Sequence, residues 1–264
     1  MAYSPKDASP VAIAFINFFD YVDNTRDLNR VTYQGYQSVG VADETLAKLQ
    51  GAITDQTLEA RTFRAKVQPE IADDFPTLHA HSILGLWGAV ETLVEDLFKA
   101  MIALEPNLLG GELFSKPKLP ISTFALAEEL RSEAILEAAS NQVASAMKLG
   151  IQQFESLLKF VGLDGRVTEQ VRHAVLEAQK IRNVWGHRAG IADERFMTAN
   201  PIAQKYKLGE RVNVGTCQYN RYLNGLSMYA SILQARYTKK HDDKYVPELK
   251  DWPGYEGTLA GLHS

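Results

Sequence analysis

Cysteine is almost absent from this chain: Cys217 is the only one among 264 residues. A single thiol excludes a disulfide within the chain and a cysteine-based zinc site. It also has no recognisable base partner in the sequence, which sets aside a thiol nucleophile. Long apolar runs are missing too. The longest near the N-terminus, from Val11 to Phe19, is interrupted by Asn17. It is too short to span a bilayer and lacks the basic start and small-residue exit of a signal peptide. These absences lead us to expect a cytoplasmic protein with no membrane association. Charge of one sign is not in excess. The formal net charge of -4 supplies no global field that draws the chain onto nucleic acid, so such binding requires a local basic patch. Repeats and low-complexity tracts are lacking, and strand-like alternations are few. A P-loop is lacking as well: Lys116-Pro117-Lys118 follows Gly110-Gly111, but the order Gly-Lys-Ser/Thr does not occur.

What is present is helical periodicity. Hydrophobic residues make up 45% and charged residues 23% of the chain, which suffices for a sizeable core in a soluble globular fold. The spacing predicts a short amphipathic helix over 10–23, a loop over 24–40 and a long helix over 43–67. Pro76 suits the first turn of a helix running to about Leu104 that is apolar nearly all round and therefore belongs in the centre of a bundle. Residues 105–120, with Pro106, Gly110, Gly111, Pro117 and Pro120, read as a connection. One or two helices are expected over 122–148 and a short one over 151–161. A further helix should run from a Thr168 cap to 188 and stop at Gly190. An irregular 191–216 follows, with a short extended piece near Arg211 to Val214, then a strong helix over 218–237. The expected fold class is all-α, a helical bundle. We divide it into an N-terminal helical extension (1–75), a main helical domain (76–238) and a C-terminal tail (239–264), with Trp252 and Tyr255 as candidate anchors of that tail.

Six residues carry the chemistry: Arg182-Asn183-Val184-Trp185-Gly186-His187. Val171, Ala174, Val175, Ala178, Ile181 and Trp185 define the buried stripe of the 168–188 helix, and Arg182 falls inside it. A buried arginine is expensive without a partner or a task. Asn183 and His187, four apart, are neighbours on the flank. Arg182 and His187 are five apart, about 140° around the axis, and loosening at Gly186 is one way to bring both to one site. The central helix holds a matching anomaly. Glu91 shares a side with Leu84, Trp87, Val94 and Phe98, and a carboxylate there should be partnered or neutral. An Arg182–Glu91 pair answers both anomalies. Two readings follow from spacing alone. Either the pair and the histidine form a phosphate-binding and proton-transfer site, or the pair fixes helix register and His187 merely caps a helix C-terminus.

The segment from Ile181 to Gly190 resembles the Arg-(Asn/Asp/His)-x-x-x-His signature of the HEPN superfamily of helical domains. The similarity extends to the Ala89-Val90-Glu91 centre of the preceding apolar helix and to a lead-in at Phe154, Leu157, Leu158, Leu163 and Asp164. It continues through Gly190, Phe196, Lys207, Gly209, Glu210 and Val212 to a tyrosine-rich closing helix. It covers about residues 80–237 and leaves the first 75 unaccounted for. The resemblance implies a metal-independent endoribonuclease without a cofactor, of toxin or anti-phage defence type, acting as a homodimer on RNA, with a protein partner or antitoxin. In that reading Arg182 holds the scissile phosphate, Asn183 orients it, His187 handles protons and Glu91 supports. The alternative within the family is a catalytically silent module for dimerisation and protein interaction. In one toxin branch a modified tyrosine stands two residues after the histidine. Here that position is Ala189, so that regulation is not implied.

Other candidates are weaker. Arg61, Arg64, Lys66 and Arg188 are possible contacts to an RNA backbone, although charge runs are usually solvated faces. His79 and His81 lack the acidic or cysteine partners a metal needs, and read as helix-surface histidines. His173 reads as solvated, and His241-Asp242-Asp243 as a charged tail. No metal site is expected.

Overall fold

The computed structural model describes residues 8–38, 41–50, 55–116, 120–144, 149–198 and 202–241. Among them the chain is an all-α bundle, with a lone bridge between Ile191 and Arg211 as its β-type pairing. That bridge is all that forms of the extended piece expected near Arg211 to Val214. The expected tail anchors Trp252 and Tyr255, and the pair Asp242-Asp243, lie outside the described residues.

The first helix, α1 (Pro10–Ser38), is twice the length expected. Its second half is polar, so hydrophobic spacing reads it as a loop. Side chains nevertheless close it locally: Thr25, Thr32 and Ser38 donate to the carbonyls four residues earlier, and Arg26–Asp23 and Arg30–Asp27 pair one turn apart. Tertiary contacts hold it in place. Buried Asn29 accepts from Ser82, and Tyr33 and Tyr36 lie on Phe75. Of the helix expected over 43–67, the described residues form α2 (Val41–Gln50) and α3 (Asp55–Ala72).

Helix α4 (Pro76–Leu104) matches its expected bounds and is the axis of the molecule. Ile83, Leu86, Val90, Leu97, Phe98 and Met101 on different faces are all fully buried. Three short 3₁₀ turns make the connection to α5 (Glu128–Ala144) and α6 (Ile151–Leu158). Then come α7 (Glu169–Arg188), a single unexpected turn α8 (Glu194–Met197), and α9 (Thr216–His241). Helices α1, α7 and α9 pack along α4. Val11, Phe15, Phe18 and Val22 of α1 join the same core as Tyr222, Tyr229 and Leu233 of α9. Truncating one such side chain costs about 2–5 kcal/mol.

Helices α7 and α9 approach closely because Gly225 has no side chain. A Cβ there would stand 2.6 Å from that of Ala174. Polar ties lock the ends. The turn before α4 puts Asp74 and Phe75 at positive φ, and the Asp74 carboxylate accepts from the backbone N–H of Thr216 at 2.6 Å and from its hydroxyl at 2.7 Å. That caps the start of α9 and favours its positive dipole end. On the far side Arg236 meets Glu155 at 2.9 Å, both nearly buried, while Tyr229 donates to the same carboxylate.

Candidate active site at the end of helix α7

The helix carrying the motif stays regular to Arg188. Gly186 does not loosen it. The chain turns only at Ala189 and Gly190, both at positive φ, where the N–H groups of Ala189 and Gly190 converge on the Val184 carbonyl. The Gly190 position admits only glycine. Its φ is +81°, and a Cβ would lie 2.8 Å from the Trp185 ring. Because α7 is unbroken, Arg182 and His187 keep their 140° separation and face different surroundings.

Arg182 faces α4. Its guanidinium lies 3.7 Å from Glu91, and the other Glu91 oxygen accepts from the buried Trp87 indole at 2.7 Å. The expected pair therefore meets, but as a long contact with the side chains 34% and 33% exposed. Neither is deeply buried, and Glu91 lies in the lining of a cavity. Arg182 also donates to Asn183 Oδ1 at 3.2 Å.

Asn183 and His187 share the opposite flank, as four-residue spacing requires. With Lys180, Arg188, Asp193 and Arg195 they line a small cavity of about 130 Å³. His187 is exposed. Arg188 pairs with Asp193 at 2.9 Å, and the other Asp193 oxygen caps α8 through the Phe196 N–H at 2.8 Å. That backbone bond, with help from Arg188, holds the Asp193 carboxyl below the usual range. The 189–214 segment is fastened to α7. Trp185 donates to the Val212 carbonyl at 2.9 Å, Arg211 lies over its ring, and Val212 bonds back to Gly190. These ties set α8 beside His187.

A larger cleft of about 730 Å³ adjoins the small cavity and shares Lys180, Asn183 and Arg195 with it. Its far wall carries Glu91 and Glu95 from α4, its floor Phe154 and Leu157 from α6. One wall is thus acidic and the other basic. Lys180 is only 9% exposed. Burial pushes its ammonium pKa down, and Arg195 adds to that. Lys180, Asp193 and Arg195 are charged members of the site that sequence reasoning missed. Lys180 was detectable, since it precedes Asn183 by three and His187 by seven and so lies on their face. Arg195 arrives through the tertiary fold and left no signal.

The other candidates lie elsewhere. Helix α3 packs on α1 and α2; Arg64 pairs with Glu44 at 3.0 Å, and Arg61, Arg64 and Lys66 line neither cavity. His79 is not a surface histidine but completely buried. One ring nitrogen meets the Val214 carbonyl at 2.8 Å, the other the Tyr33 hydroxyl, and the ring stacks on Tyr219. Its role is to tie α1, α4 and the approach to α9. His81 and His173 are exposed, and Cys217 is exposed. Among the described residues no group of three His, Cys, Asp or Glu is placed to hold a metal ion, and no helix is long and apolar enough to cross a membrane. No protein-family model matches the chain, and neither curated proteins nor solved structures yield a significant match.

Proposed function

We propose that the protein is a metal-independent endoribonuclease of HEPN type, cytoplasmic, and a toxin or anti-phage defence effector held in check by a protein partner. The observation that carries this reading is the end of α7. Asn183 and the exposed His187 open onto one cavity, and Arg182, turned toward α4, is held by Glu91 and bonded to Asn183. In the reaction the RNA 2′-hydroxyl attacks the adjacent phosphorus and gives up its proton to a base. The 5′-oxygen leaves and takes a proton from an acid. The products are a 2′,3′-cyclic phosphate and a 5′-hydroxyl, so atoms and charge balance without a metal. One histidine cannot be both base and acid within a single step. A two-fold homodimer, bringing two copies of α7 together, supplies the second histidine and a second arginine.

The experiment is cleavage of a labelled RNA by the parent and by His187→Ala, each with and without EDTA. The parent should cleave in EDTA and leave cyclic phosphate ends. His187→Ala should fold normally, because the side chain is exposed, and lose about 10²–10⁴ in rate. Parental cleavage by the variant, or activity abolished by EDTA and restored by magnesium, would overturn the mechanism. A second reading, a silent dimerisation module, draws on the engagement of Arg182 by both Glu91 and Asn183. It predicts no cleavage by the parent.

A further inference from the structure

Lys180 poses a problem that the motif does not solve. It is more than nine-tenths buried, yet among the described residues no carboxylate pairs with it and no hydrogen bond satisfies it. The charge that bears on it is another cation, Arg195, which is exposed and likewise unpaired among the described residues. An ammonium on a largely buried side chain, reaching solvent only through the cavities and set beside a guanidinium, is unfavourable unless something anionic completes the pair. Both side chains line both cavities, so they stand where the two meet. Of the carboxylates lining the two cavities, Glu91 is engaged with Trp87 and Arg182 and Asp193 with Arg188 and the α8 cap, while Glu95 stands with Glu91 on the α4 wall across the larger cleft.

We propose that Lys180 and Arg195 form a phosphate-binding subsite at the junction of the two cavities, separate from Arg182. Two cations converging from different elements, one on a largely buried side chain, match the charge and multiple acceptors of a phosphate group. The larger cleft leaves room for what the phosphate is attached to. This inference rests on the ribonuclease reading only for the source of the phosphate, which there is a backbone phosphate next to the one being cleaved. The subsite then fixes the strand's register over His187.

The test does not depend on cleavage. The parent, Lys180→Met and Arg195→Ala are compared in two arms. One is thermal unfolding in inorganic phosphate against chloride at matched ionic strength. The other is binding of a 2′-O-methyl oligoribonucleotide, which cannot be cleaved, across a salt series. Phosphate should raise the parent's Tm more than it raises either variant's, a comparison that cancels the general effect of phosphate on protein stability. Both variants should bind the oligonucleotide about tenfold more weakly. Each should also lose about one unit of the slope of log affinity against log salt, which a merely structural residue would not change. Arg195→Ala carries no folding risk, since its side chain is exposed. Lys180→Met removes an unpaired charge from a largely buried side chain and should be at least as stable as the parent in chloride. Phosphate stabilisation lost in the variants with unchanged oligonucleotide binding assigns the subsite to a free phosphate or phosphomonoester. Parental behaviour of both variants in both arms overturns the subsite. It would do so even if the protein cleaves RNA, and a working subsite in a protein that cleaves nothing would leave only the ribonuclease reading refuted.

Discussion

Glu91 offers one oxygen to the Trp87 indole and the other to Arg182, so it orients the arginine more than it neutralises it. At 3.7 Å, with both side chains a third exposed, solvent screens the attraction. A double-mutant cycle on Glu91→Ala and Arg182→Ala should give a coupling of about 1 kcal/mol or less. The same cycle on Glu155 and Arg236, a shorter and more buried pair, should give distinctly more. Equal couplings would contradict this ranking. His79 makes a different prediction. Burial holds its ring below the ordinary imidazole pKa, outweighing the upward pull of the Val214 carbonyl, Asp74 and Glu70. The unfolded chain therefore takes up this proton at a higher pH than the folded one. The stability concerned is fully present above about pH 6.5 and declines as pH falls below it. Urea unfolding at pH 7 and pH 5 should show the loss, and His79→Gln should shrink it. An undiminished loss in the variant would place its origin elsewhere.

Between elements, the α7–α9 contact at Ala174 and Gly225 admits no extra carbon. Gly225→Ala should destabilise by roughly 1–3 kcal/mol in chemical denaturation, despite alanine's better helix propensity. Parental or greater stability would mean that the helices separate without penalty. The elements themselves differed in how far the sequence revealed them. Helices α4, α7 and α9 were legible because apolar residues recur at helical spacing, with Pro76 marking the start of α4 and Gly190 the stop of α7. The second half of α1 was not, since Thr25, Asn29 and Thr32 carry no hydrophobic period and owe their helical state to back-bonding hydroxyls and to contacts with α4. At the site, the anomalies of Arg182 and Glu91 in apolar surroundings disclosed that they meet. Their exposure was hidden, because a helical wheel does not show where a neighbouring helix stops covering a face. Lys180 shared the wheel with Asn183 and His187 but lay in a stretch that reads as ordinary polar surface.

At the scale of the whole molecule, the mechanism proposed for RNA cleavage needs two chains. Sedimentation at micromolar concentration should show a dimer, and dilution should reduce activity as it dissociates. A monomer that cleaves at full rate would sink the two-chain site. The architecture also bears on how the protein is made. Helix α4 is covered by α1, which precedes it, and by α9, which the chain reaches more than a hundred residues later. The bonds that seal this cover, Asp74 to Thr216 and His79 to Val214, span 142 and 135 residues. A ribosome that has just released α4 has therefore produced a helix apolar on nearly every side with only part of its cover in place. That exposed surface persists until α9 emerges. The nascent chain must avoid non-specific association through this interval, a hazard set by the order of helices along the chain and not by the stability of the finished bundle.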